Sequence, residues 1–207
     1  MLHKAVDLGG SSRMSRSFSI LGAWPDVMAG QGIAGDVSVA TPMGWRAVSE
    51  LHLGDFLRNP DGPPTTLCAL EPVAGQTWLR FPISALGNRR PFVIAQGQGV
   101  LLKSDYIRAL TGEAAVAVPA RSLRGWRGIH DCAAPPHALC LRLSRPSLIM
   151  VGAGAFLTCQ AVQQIGWDGL PPVPSLSPAS AQQLLACLIA EDAGRALGNL
   201  RPQAAVF

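Results

Sequence analysis

Short apolar runs separated by turn residues fill the middle of the chain, at 37–40, 45–48, 65–71, 77–86, 91–95, 100–102, 115–118, 138–143 and 147–151. Runs of that length, bounded by glycine, proline and small polar residues, predict strands rather than helices. Val37 to Ala40 leads into Thr41-Pro42-Met43-Gly44. Proline presets φ and glycine accepts a positive one, so a tight turn is predicted there, with the return strand beginning at Trp45. Glu50-Leu51-His52-Leu53-Gly54-Asp55 reads as a second turn, into Phe56-Leu57, and Asn59-Pro60-Asp61-Gly62 as a third. Leu139, Leu141 and Leu143 alternate with Cys140 and Arg142, the period-two pattern of a half-exposed strand. The prediction is a mainly β domain.

Two stretches break this pattern with helical signals. Ser104 to Leu110, followed by Thr111-Gly112, predicts one short helix ended by glycine. Beyond the stiff Gly169-Leu170-Pro171-Pro172-Val173-Pro174, Ser177 or Ser180 can cap a helix from about Ala179 to Leu197. Leu184, Leu185, Leu188, Ile189 and Ala193 fall on one face of it, which is read as packing back on the β domain in preference to docking or dimerising. Residues 1–30 are polar and aperiodic, a loose leader. The domain expectation is therefore leader 1–30, β domain 31–165, Pro-rich linker 166–178, and helix with tail 179–207.

Composition narrows the function classes. At 207 residues, 48% apolar and 14% charged, the chain favours a packed core over disorder. The net charge of +4 is mild and the arginines are scattered. The Arg121–Arg127 segment around Trp126 lacks the dense basic stripe of a nucleic-acid module, so a solvated face is the reading taken. Five cysteines without framework spacing predict small buried side chains in a reducing compartment, cytoplasmic rather than secreted. Arg13 and Arg16 precede Phe18 to Trp24, but Pro25-Asp26 cuts that run short of a secretory signal. No run of about eighteen apolar residues exists to span a membrane.

The block Gly35-Asp-Val-Ser-Val-Ala-Thr-Pro-Met-Gly-Trp-Arg-Ala-Val48, then Glu50-Leu-His-Leu-Gly-Asp55, resembles the opening of a bacterial Hint (hedgehog/intein) domain. Val100 to Ser104, with Val116 to Leu123 after a spacer, resembles a second family block. Ala138 to Leu143 through Val151 to Gly154 resembles a third. The blocks occur in order over about residues 32–160. The resemblance implies an all-β horseshoe of curved strands with a short helical insertion, and chemistry of the acyl-shift kind. In that chemistry a Cys, Ser or Thr opening the domain attacks the preceding carbonyl, a histidine protonates the scissile amide, and in inteins a terminal His-Asn pair releases the C-terminal side.

At each of those positions this chain departs from the pattern. The resemblance puts Gly32 at the nucleophile position, Gln98 at the histidine position and Ala153 at the terminal asparagine position, with Ser144-Arg145-Pro146 where a histidine often sits. Glycine has no nucleophile, and an amide has no proton to give at neutral pH. The expectation is a degenerate Hint-like domain without self-cleavage, acting as a binding or structural module with a protein partner and no cofactor. The alternative is residual autoproteolysis near Gln31/Gly32 through other residues. Asp36 and Asp55 read as turn-capping carboxylates, and Ser38 and Thr41 as strand and turn hydroxyls. His130, Cys132, His137 and Cys140 form a His-x-Cys…His-x-x-Cys cluster that could ligate zinc; a loop histidine plus a buried cysteine is the plainer account.

Overall fold

A computed structural model describes residues 20–21, 30–60, 62–162 and 173–199. Apart from residues 20, 21 and 30, the predicted leader lies outside the described residues. So do the linker's first seven positions and the tail after residue 199. In chain order the strands are β1 (Ile20–Leu21), β2 (Ile33–Ala34), β3 (Ser38–Thr41), β4 (Gly44–Ala47), β5 (Phe56–Leu57), β6 (Thr65–Pro72), β7 (Trp78–Phe81) and β8 (Phe92–Ala95). They continue with β9 (Gly99–Lys103), β10 (Ala115–Pro119), β11 (His130–Cys132), β12 (Ala138–Leu143), β13 (Ser147–Val151), β14 (Ala155–Cys159) and β15 (Ser175–Leu176). Helix α1 spans Asp105–Thr111, and α2 spans Pro178–Asn199.

Among the described residues the strands form two sheets, ordered β1-β15-β10-β9-β14-β13-β3-β4 and β11-β7-β8-β2-β12-β6-β5. Among the described residues the protein is mainly β with two α-helices, as the sequence pattern predicts. One continuous apolar cluster takes residues from both sheets, among them Ile33, Leu67, Leu79, Phe81, Ile94, Leu141, Val100, Ile149 and Leu157. Phe81 and Phe92 stack within it, centroids 4.8 Å apart. Each such fully buried side chain contributes about 1.5–3 kcal/mol of transfer free energy. No helix among the described residues is long and apolar enough to cross a membrane.

The local devices act as the residues dictate. Thr41 Oγ1 donates to the Gly44 carbonyl (2.8 Å) and accepts from the Met43 amide (3.2 Å), closing the β3–β4 turn. Gly44 there adopts φ 122°, which an L side chain rarely does. Asp55 accepts from the His52 amide (2.8 Å) and from Arg46 (2.9 Å), so it caps the second turn. Asp36 is exposed at its own turn. Ser104 Oγ accepts from the Ile107 amide (3.0 Å), and Gly112 at φ 81° ends α1.

Several details differ from the sequence expectation. The run 77–86 is a strand only to Phe81; Asn88 then holds a turn, donating to the carbonyls of Pro82 (2.9 Å) and Arg90 (2.8 Å). On α2, capped by Ser177, the core-facing stripe is Ala181, Leu184 and Leu188, while Ile189 is 48% exposed and Ala193 exposed. Residue 189 sits about 100° around the helix from 188 and so turns away from the sheet. The helix does pack back on the β domain, against β10 and the Ala120–Leu123 turn. Cys140, Cys159 and Cys187 are buried, but Cys68 is exposed, on an outward position of β6, and Cys132 is half-buried on β11, packed against the Trp78 cluster.

Candidate functional site

Strand β2 is two residues long and is held on both sides, Ile33 pairing Ile94 of β8 and Leu139 of β12. This fixes Gly32 at its start, where the glycine carbonyl accepts from the Ala95 amide at 2.9 Å. Ala95 ends β8, and its carbonyl accepts from the Gln98 amide (3.0 Å) across a tight turn into β9. The Gln98 carbonyl in turn accepts from Ala120 at 2.8 Å. Position 98 is thus set by the backbone on both sides.

Its side chain is 3% exposed and bridges two distant segments. Oε1 accepts from the Gly32 amide at 3.3 Å, and Nε2 donates to the Thr158 carbonyl at 2.7 Å. One partner is a donor and the other an acceptor, which fixes the orientation of the amide. The structure therefore brings Gly32 and Gln98 together, 66 residues apart in sequence, at the amide of the Gln31–Gly32 peptide bond. Gln98 can hold that nitrogen but, being neutral and without a labile proton, cannot protonate it.

Two of the chain's thiols, Cys140 and Cys159, lie close to this junction. Gln31 is buried, and its Oε1 lies 4.0 Å from Cys140 Sγ. Burial pushes the Cys140 thiol above its ordinary range, only partly offset by Arg142. Burial, with a smaller contribution from Cys140, pushes the fully enclosed Cys159 thiol much further up. A buried thiol held protonated is a poor nucleophile.

Ala153 is not among the residues brought to Gln98. It sits at φ 58° in the turn joining β13 and β14, where the Gly152 carbonyl accepts from the Arg89 (2.9 Å) and Arg90 (3.0 Å) amides. It is the opposite end of β14, at Thr158 and Cys159, that reaches the site. Ser144 Oγ instead lies 3.3 Å from Thr65 Oγ1. His130 and Cys132 occupy β11, paired to β7, with His130 Nδ1 2.8 Å from the Gly128 carbonyl. His137 stands in the loop before β12, its carbonyl accepting from Gly35 (2.8 Å), and Cys140 turns towards Gln31. Among the described residues no three His, Cys, Asp or Glu side chains gather to hold a metal. Thr158 is not legible in the sequence, since it takes part through its backbone carbonyl.

No known family profile matches this chain, and no curated protein matches it. Among solved structures, a variant of the gp41-1 intein is similar at 11% identity, covering 63% of this chain and 100% of that one, with a TM-score of 0.45. The MchDnaB-1 intein is similar at 19% identity, covering 62% and 99%, with a TM-score of 0.42. The Msm DnaB1 intein splicing domain, solved bound with zinc, is similar at 21% identity, covering 62% and 99%, with a TM-score of 0.43.

Proposed function

We propose that the chain is a Hint-like domain that has lost acyl-shift chemistry and serves as a binding or structural module for a protein partner. The observation that carries this reading is the Gln98 bridge. The side chain at the family's histidine position meets the amide at the family's nucleophile position, 3.3 Å away, as a neutral amide facing a glycine. The three sequence blocks occur in family order and support the scaffold part of the reading. The raised thiols of Cys140 and Cys159 support the loss of activity, because they leave no thiolate beside the Gln31–Gly32 bond at neutral pH.

Intact mass of the purified full-length chain, incubated at neutral pH with and without dithiothreitol, tests it. A single species at 21.7 kDa that persists in both conditions is the expected result. A fragment ending at Gln31 that grows with time or thiol overturns the reading and establishes residual autoproteolysis.

A further inference from the structure

We propose that Trp78 is a steric lock on position 32: an indole, and not the backbone, keeps that position free of a side chain. The inference rests on reading Gly32 as the vacated nucleophile position. Gly32 is not among the glycines with positive φ, so its backbone is one that any L residue adopts. The obstacle lies in what surrounds it. A Cβ built on Gly32 would stand 3.0 Å from Trp78 Cη2 and 3.3 and 3.4 Å from the two methyls of Val73, and all three nearest atoms belong to side chains. Valine methyls can turn aside. The Trp78 ring is 2% exposed and wedged among Ala95, Ala138, Val73, Val93 and Cys132, so it cannot.

Trp78 opens β7 and pairs with Ala95, the residue whose amide binds the Gly32 carbonyl, so the lock and the position it closes hang on the same strand pair. The small residue and the large one are then a matched pair, filling one volume between them. A serine, threonine or cysteine at position 32 would bring its Cβ against the indole. Regaining a nucleophile takes two changes, with Trp78 reduced as well as Gly32 enlarged.

A double-mutant cycle on the full chain tests this through the thermal midpoint. Gly32→Ala is expected to lower the midpoint by roughly 3 °C or more in the native background. In Trp78→Phe, which withdraws the outer ring corner but keeps an aromatic core residue, the same substitution is expected to shift the midpoint by less than about 1 °C. Trp78→Leu serves as a second background. Gly35→Ala is the control: its added Cβ would meet His137 and Ser49 at 3.3 Å and should cost the same in every background. An equal fall for Gly32→Ala with and without the indole, or no fall in the native background, overturns the lock. The midpoints are read independently of cleavage. A self-cleaving wild type would sink the functional reading and leave the lock standing, and an uncoupled cycle would do the reverse.

Discussion

Gln98 satisfies two buried backbone groups with one neutral side chain. Gln98→Leu keeps the shape but removes the side-chain acceptor of the Gly32 amide and one hydrogen bond to the Thr158 carbonyl; the expected loss is roughly 1–3 kcal/mol. Urea unfolding should show it as a lower midpoint with an unchanged slope. Gln98→Glu adds a charge question. A carboxylate there can accept from Gly32 but faces the Thr158 carbonyl with a second acceptor, in a buried site. Its folded pKa is therefore raised above the unfolded value of about 4.3. A raised carboxyl contributes its stability below the unfolded pKa and loses it as pH climbs through the folded one. The variant should accordingly be more stable at pH 4 than at pH 7 relative to wild type, and a flat difference across that range would refute the argument. At this scale the sequence showed only half the site. Gly32 and Gln98 were legible through ordered blocks around them, whereas Thr158 contributes a carbonyl that any residue could supply. Trp78 looks, in sequence, like any other strand aromatic.

At the scale of elements, α2 is tied down at one carboxylate. Asp192 accepts from the Trp126 indole (2.9 Å) and from Arg127 through both oxygens (2.9 and 2.8 Å), while the Arg127 guanidinium lies 4.4 Å from the Trp126 ring centroid. Arg127 itself holds φ 48°, a left-handed conformation that costs a non-glycine residue about 1–3 kcal/mol and persists where its contacts over-determine it. The hydrogen bond from Arg127, aided by Trp126, holds the Asp192 carboxyl below its usual range. A depressed carboxyl contributes stability above the unfolded pKa of about 3.9 and loses it as pH falls through the folded pKa. Asp192→Asn should therefore be less stable than wild type at pH 7, by about 0.5–1.5 kcal/mol for a half-exposed bidentate pair. The gap should close as pH drops below about 4. Denaturant titrations at the two pH values would measure it. The helix and its serine cap were legible from apolar spacing, but the tether was not, because Asp192 and Arg127 are 65 residues apart. The short strands β2, β11 and β15 were missed for a related reason: two or three residues carry no period, and only their partners define them.

At the scale of the whole molecule, none of the five cysteines is in a disulfide, and they differ in access. Cys68 is exposed and Cys132 half-buried, while the other three are enclosed, so Ellman's reagent should titrate one thiol quickly, a second slowly, and five after guanidinium unfolding. Rapid reaction of three or more in the native state would contradict the packing around Cys140 and Cys159. The two sheets also share a fastening of unusual span. The Gln98 amide joins the start of β2, the turn before β9 and the end of β14, and these lie 66 and 60 residues apart along the chain. Such a junction closes only after both intervening loops have been gathered, when most of the conformational search is over. It belongs to the descent from the folding transition state rather than the climb to it. Removing it should leave the refolding arm of the chevron nearly where it was and raise the unfolding arm. One buried side-chain amide would then set how long the folded protein lasts rather than how fast it forms.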